Sequence, residues 1–357
     1  MGAIKTVNIL LLGAVGDNPA ERIAAIDPTL HVIDARGQFE VEYADTWPAE
    51  TVRRYVPQHL ITQSMTTRAE RDALLATADI ICIRFPFPLD LRARAPQLKW
   101  LHQTAAGASN LQMGDLWGSP ITVTTSRGYN NALPIAEYIL ATMLLWAKSL
   151  PQAFHDQARH TFDRRPYRPV LLQGKTLGII GLGGIGREAA QLAKAVGLRV
   201  LATRRSVTTI QPQTEGVDEL LPPAGLPVLL EQSDFVALCA QWTPVTNKLM
   251  SEPELRRMKE SAYLINVARG ELIDQPALIR ALRENWIAGA ALDVYEGEFI
   301  GPPPAELWEL PNVLITPHTS AGTDVQHAKG IELFCENLRR YLENEPLLNV
   351  IDWERGY

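Results

Sequence analysis

The sequence predicts an α/β protein made of two doubly wound parallel-sheet units. Three observations predict it. Short apolar runs of about four to eight residues recur along the chain, as strands buried on both faces do. Segments of helical period fall between them, as βαβ crossovers require. The length of 357 residues exceeds what one hydrophobic core holds, so two domains are expected.

In the N-terminal third, "VNILLLGA" (7–14) reads as a buried strand. "TRAERDALLATADIICIRF" (67–85) reads as a helix, then Asp79, then a second strand. "PQLKWLHQTAAGASNL" (96–111) is a strand running into a loop of small residues, and "PITVTTSRG" (120–128) is another strand. "NNALPIAEYILATMLLWAKSL" (130–150) is a helix, with Asn131 able to cap it and Pro134 in its first turn. Its apolarity nearly all round predicts burial on several sides, between domains or between subunits. The polar, basic, Pro-punctuated stretch 151–170 reads as a connector.

From 174 the alternation resumes with strands at 176–181, 199–203, 233–240, 262–268, 288–295 and 312–318. Ser251 with Glu254 forms a capping-box signal, Asp274 precedes a further helix, and Thr323 with Gln326 starts a final helix over 324–344. No short-period repeat is present.

The bulk composition excludes several function classes. A formal net charge of -6 argues against a general nucleic-acid or anionic-membrane binder, though not against a local basic pocket. The three cysteines, Cys82, Cys239 and Cys335, are far apart and in no metal spacing. No disulfide framework and no metal site is expected, and a reducing cytoplasm fits. The apolar run at 7–16 is too short to span a bilayer and reads as a buried first strand rather than a signal peptide. "MGAIKT" matches the loose myristoylation pattern at Gly2, with nothing else in support.

"GLGGIG" (181–186) is the most informative motif. It follows the strand "TLGII" and opens the helical "REAAQLAKAVG", and strand 199–203 completes a βαβ unit. Gly181 serves the tight turn, Gly183 the close approach of a pyrophosphate, and Gly186 the packing of helix on strand. Gly184 and Ile185 begin the helix, whose unpaired N–H groups attract phosphate. An NAD-binding unit usually ends its second strand in an acid that accepts bonds from the ribose hydroxyls. Here that place holds Arg204 and Arg205, followed by Ser206, with no acid nearby in sequence until Glu215. Guanidinium forks suit a ribose 2′-phosphate, so NADP is the predicted cofactor, with NAD possible. The competing reading is two solvated arginines on a loop.

Three further segments place reactive side chains at strand ends: Arg269 in "LINVARGELID", Asp293 and Glu298 in "ALDVYEGEF", and His318 in "LITPHTSAG". In open parallel sheets ligands sit outside the carboxyl ends of the strands. Each side chain alone has a structural explanation. Together they supply a cation for a carboxylate, a titratable base and an acid to orient it, the parts of a hydride-transfer site.

With these motifs in this order and spacing, the chain resembles the D-isomer-specific 2-hydroxyacid dehydrogenases over roughly residues 75–345. NADP-dependent glyoxylate/hydroxypyruvate reductases are the nearest members, partly because of "TRRS". The resemblance implies a Rossmann cofactor domain, 128–319, inserted into a flavodoxin-like substrate domain made of 1–127 and 320–357. It implies His318 as acid/base, Glu298 as its hydrogen-bond partner supporting the charged imidazole, and Arg269 binding the substrate carboxylate and polarising the carbonyl. The backbone at Ala106, Gly107 and Ala108 would bind the same carboxylate. Asp293 would lie near the nicotinamide carboxamide. Thr243 of the "AQWT" loop, Val267, Ala268, His318 and Gly322 would line the cofactor. The site would lie in an interdomain cleft, and helix 130–150 would be a crossover and a homodimer contact through the cofactor domain. The partner implied is a small 2-oxo or 2-hydroxy acid.

Departures from the family pattern bear on the substrate. Phe299 follows Glu298 where many relatives have Pro, and Cys239 and Gln241 stand where many have His or Asn and then Pro. Phe299, Trp242 and "IRFPFP" (83–88) therefore reshape the expected pocket. Cys239 has no base near it in sequence and reads as a buried thiol rather than a nucleophile. Two alternative functions share the fold: a non-catalytic, dinucleotide-sensing corepressor-like protein, and a formate- or phosphite-type dehydrogenase.

Overall fold

The computed structural model describes residues 6–13, 18–63, 66–128, 131–324 and 326–356; Gly2 lies outside the described residues. The chain divides into two compact units, Met1–Asn130 with Phe299–Pro302 and Thr323–Tyr357, and Asn131–Glu298 with Pro303–Gly322.

The first unit is built on five parallel strands: β1 (Val7–Leu11), β2 (Leu30–Asp34), β3 (Ile80–Ile83), β4 (Trp100–Gln103) and β5 (Thr122–Thr125). Their order is β2-β1-β3-β4-β5, the doubly wound order of flavodoxin-like sheets. Apolar side chains fill both faces, with Leu10, Ile81 and Leu101 on one and Ile9, Ile80 and Trp100 on the other. Helix Arg68–Thr77 carries a complete capping box between Thr67 and Glu70. Helix Gln326–Leu342 returns to this unit, bringing Phe334 against the Trp100 ring at a centroid distance of 5.2 Å.

The second unit holds β6 (Thr176–Ile180), β7 (Arg199–Thr203), β8 (Gln211–Thr214), β9 (Val217–Leu221), β10 (Phe235–Leu238), β11 (Tyr263–Asn266), β12 (Gly289–Leu292) and β13 (Val313–Ile315). The sheet order is β13-β12-β11-β10-β6-β7-β9-β8. Reading from β9 through β7 and β6 and then outward from β10 gives the doubly wound order of dinucleotide-binding sheets. The order reverses between β6 and β10, which sets the ligand crevice at their carboxyl ends.

Three expectations need correction. The second sheet is not wholly parallel, because β8 pairs antiparallel with β9 as a hairpin on the edge. Residues 151–170 are not all connector: Leu150–Ala158 is a helix, with Pro151 in the first turn, where a missing N–H costs nothing. The preceding helix is Ala132–Ala147, and Ser149, in the left-handed region at φ 55, separates the two. Asn131 stands at its N-cap but makes no side-chain cap bond. Among the described residues no single helix is long and apolar enough to cross a membrane.

Candidate active site

The glycine loop follows β6, and each glycine has a separate steric reason. Gly181 has φ +102, and a Cβ there would sit 2.8 Å from the Ala240 backbone. A Cβ on Gly186 would meet the Gly181 carbonyl at 2.5 Å. At Gly183 nothing lies within 4 Å of the Cβ position, so the absent side chain leaves open space in front of the helix. That helix, Gly184–Ala195, has Gly183 as an N-cap without a side-chain cap, which leaves its first N–H groups for a ligand. Gly181 and Leu182 donate their N–H groups to the Thr203 carbonyl at 3.1 and 3.0 Å, tying the loop to the end of β7.

Just past β7, Arg204 is half-buried while Arg205 and Ser206 are exposed. Glu215, distant in sequence, is brought back by the β8–β9 hairpin. Arg204 Nη1 donates to Glu215 Oε1 at 2.6 Å. Glu215, the first acid after Arg204 in sequence, is thus its neighbour in the fold: sequence distance hid a contact that the hairpin creates.

The far strands carry the remaining groups. After β11, Asn266 pins the turn that presents Arg269. Its Nδ2 donates to the Arg269 carbonyl at 2.9 Å and its Oδ1 accepts from the Ala268 N–H at 3.1 Å. Sequence reading missed this role; the only signal was a polar residue closing an apolar strand. Val267 is buried, Ala268 is half-buried, and Arg269 Nη1 donates to the Ala268 carbonyl at 2.6 Å.

After β12, Asp293 is buried and holds the segment after β13. Its Oδ1 accepts from the Thr316 hydroxyl at 2.6 Å and the Thr319 N–H at 2.8 Å, and its Oδ2 accepts from the Ser320 N–H at 2.9 Å. Tyr138 adds a contact to the Thr316 hydroxyl at 2.8 Å. Within this clasp His318 takes a left-handed backbone, φ 55, and donates its N–H to the Asp293 carbonyl at 2.9 Å. A non-glycine residue in that region persists only where its surroundings over-determine it, and such residues cluster at functional sites. His318 Nδ1 lies 3.1 Å from Glu298 Oε2, and Glu298 is only 2% exposed. Glu298 thus engages one ring nitrogen and leaves Nε2 as the one directed elsewhere. Gly322 donates to the Thr319 carbonyl at 2.8 Å, closing the same turn.

Arg269, Glu298, Asp293 and His318 therefore sit on the carboxyl side of one sheet, with the glycine loop. Thr243 lies after β10, its hydroxyl 3.1 Å from that of Thr246. Burial pushes the Cys239 thiol up to about 12, which removes the thiolate a nucleophile needs. Glu271, two residues after Arg269, has its carboxyl raised by burial, with the Glu298 charge adding to the effect.

In the first unit, Ala106, Gly107 and Ala108 form the loop after β4. Gln103 Nε2 donates to the Gly107 carbonyl at 2.6 Å, and Gln103 and Asn110 exchange amide bonds of 2.8 and 3.2 Å. Phe299 belongs to this unit. Its ring packs on Phe85 (centroids 4.9 Å) and Tyr55 (6.4 Å), and its carbonyl accepts from the Thr51 hydroxyl at 2.6 Å.

Residues 140–320 match the family model described as D-isomer specific 2-hydroxyacid dehydrogenase, NAD binding domain. A glyoxylate reductase of Korarchaeum cryptofilum is 34% identical over 274 residues, covering 75% of this chain and 80% of that protein. D-3-phosphoglycerate dehydrogenase 1 of Saccharomyces cerevisiae is 30% identical over 351 residues, covering 93% and 69%. A crystal structure of a D-isomer specific 2-hydroxyacid dehydrogenase from Xanthobacter autotrophicus, in complex with NADPH and MES, aligns with a TM-score of 0.75 at 27% identity, covering 99% of this chain and all of that one.

Proposed function

The chain belongs to the D-isomer specific 2-hydroxyacid dehydrogenase family, and from that premise we propose that it reduces a small 2-oxo acid, glyoxylate or hydroxypyruvate in type, to the D-2-hydroxy acid with NADPH. The observation that carries the reading is the pairing of His318 with the buried Glu298 at the carboxyl end of the sheet that bears the glycine loop.

The residues present fit a nicotinamide dinucleotide. Gly183 leaves open space before an uncapped helix N-terminus, as a pyrophosphate requires. Gly181 to Gly186 would hold the diphosphate, Arg204, Arg205 and Ser206 the adenosine end, and Thr243, Val267, Ala268 and Gly322 the nicotinamide side. When bound, the cofactor supplies a hydride to the 2-oxo carbon. His318 gives its Nε2 proton to the carbonyl oxygen, while Glu298 fixes the ring through Nδ1 and balances the imidazolium charge. Arg269 binds the carboxylate and stabilises negative charge on the oxygen. In the first unit, the N–H groups at Ala106, Gly107 and Ala108 are that unit's own candidates for binding a carboxylate. Asp293 acts by holding the His318 turn. The first unit, Met1–Asn130 with Phe299–Pro302 and Thr323–Tyr357, serves as the substrate domain and the second as the cofactor domain.

Exposed apolar side chains at Leu133, Leu144, Leu150 and Phe154 support a homodimer through the cofactor domain. The free cysteines suit a reducing cytoplasm.

The reading is tested by NADPH oxidation with glyoxylate, hydroxypyruvate, pyruvate and 3-phosphohydroxypyruvate. Turnover is expected with at least one of the first two. NADPH binding without turnover of any acid would favour the sensor function instead. NADPH preference, consistent with the NADPH seen in the Xanthobacter relative, has its own test. Arg204→Gln should raise the KM for NADPH by about ten- to hundred-fold, the worth of a charged hydrogen bond, and leave that for NADH near its starting value.

A further inference from the structure

Arg204 does not stand waiting for phosphate. Glu215 spans it and Arg187: one carboxylate oxygen accepts from Arg204 Nη1 at 2.6 Å, the other from Arg187 Nη2 at 2.6 Å and Nε at 3.1 Å. Arg187 comes from the first turn of the glycine-loop helix, so the acid joins two elements that border the adenosine end of a dinucleotide.

Glu215 gets there by an addition to the fold. The doubly wound order needs β9 but not the antiparallel β8. Thr214 pairs with Val217, which leaves Glu215 and Gly216 as a two-residue turn, with φ 50 and +81. That is the left-handed pattern in which Asn or Gly ordinarily stands, and a glutamate there is sterically disfavoured. Its side chain nevertheless makes both arginine pairs.

We propose that Glu215 is a cofactor-selectivity residue, its carboxylate holding Arg204 and Arg187 in the place of the 2′-phosphate and yielding to it when NADPH binds. The proposal rests on the reading that Arg204 receives that phosphate. Carboxylate and phosphate present the same paired oxygens to a guanidinium fork, so the two compete for one site. NADH brings no phosphate and leaves both pairs intact. Glu215 therefore keeps the arginines ordered while restraining the preference for NADPH over NADH. The three side chains are about a third to two-fifths exposed (Arg204 34%, Glu215 32%, Arg187 43%), so the pairs are weak enough to open.

The test is calorimetric titration of the full-length protein with NADPH and with NADH, in the wild type, Glu215→Gln and Arg204→Gln. Glu215→Gln should tighten NADPH about five-fold and leave NADH unchanged. Glu215→Asn, which suits the turn and also removes the charge, should give the same gain, so a folding defect in the first variant cannot hide the result. An NADPH affinity unchanged or weakened in both variants overturns the proposal. So does a selective loss of NADH affinity, which would make Glu215 an acceptor for the ribose hydroxyls. If Arg204→Gln leaves the NADPH to NADH ratio unmoved, the underlying reading fails. If it lowers that ratio while the Glu215 variants gain nothing, only the present proposal fails.

Discussion

His318→Gln is expected to lower kcat for 2-oxo acid reduction by about 10²- to 10⁴-fold, the range for losing a positioned general acid, with NADPH still bound. The geometry fixes the ring in place. The ring is held from one side by Glu298 at 3.1 Å, and its backbone by the Asp293 clasp. Glutamine preserves polarity and can still bond Glu298, but it carries no proton that it can give up near neutral pH. Arg269 is untouched, so the KM for the acid should change far less than kcat. Steady-state kinetics with a parallel NADPH titration check this. A variant whose kcat stays within ten-fold of wild type would remove His318 from the acid/base role.

What could be read from the sequence follows how local each cause is. The glycine loop, β6, β7 and the strand ends carrying Arg269, Asp293 and His318 are encoded by neighbouring residues. A strand's apolar run, the glycines a turn demands and the polar residue where the chain leaves the sheet all lie within a few positions of one another. The Glu215 contact is not of this kind. "QPQT" is polar and contains Pro, so β8 carries no strand signal, and the turn "EG" lacks the Asn that would announce a hairpin. Strand β2 escapes for a related reason: on the sheet edge, with exposed His31 and Asp34, it has no continuous apolar run. Helix Leu150–Ala158 is hidden by Pro151, which reads as a breaker when its place in the helix is unknown. The supports of the site, Asn266, Tyr138 and Thr316, act through bonds that only the folded chain makes.

The same distinction separates two neighbours in sequence. The Arg269, Glu298 and His318 positions lie on one sheet and are shaped by short turns. Phe299 follows Glu298 in sequence yet packs with Phe85 and Tyr55 in the other unit. Glu298 and Phe299, adjacent in sequence, thus belong to different units of the fold.

Gly270→Ala is expected to cost about 3 kcal/mol or more of stability and to lower kcat/KM by about 10²-fold, although the glycine carries no chemistry. Gly270 is buried and follows Arg269 directly. A Cβ there would overlap the peptide joining Tyr295 to Glu296, far inside any real van der Waals contact. The obstructing atoms are backbone, so no rotamer change relieves the clash. Either the Arg269 turn or the Tyr295–Glu296 peptide must move. That peptide leads into Glu298, whose N–H donates to the Tyr295 carbonyl at 3.3 Å. The added methyl group therefore disturbs Arg269 and Glu298, the partner of His318, together, and a displacement of about 1 Å is enough for a hundred-fold loss. Gly183→Ala is the contrasting case: its Cβ would enter open space, so thermal stability should hold while cofactor affinity falls. Thermal melts and kinetics on both variants separate a glycine needed for packing two parts of the site from one needed by the ligand. A Gly270→Ala protein with unchanged melting temperature and kcat/KM would mean that the Arg269 and Glu298 segments are not locked by this contact.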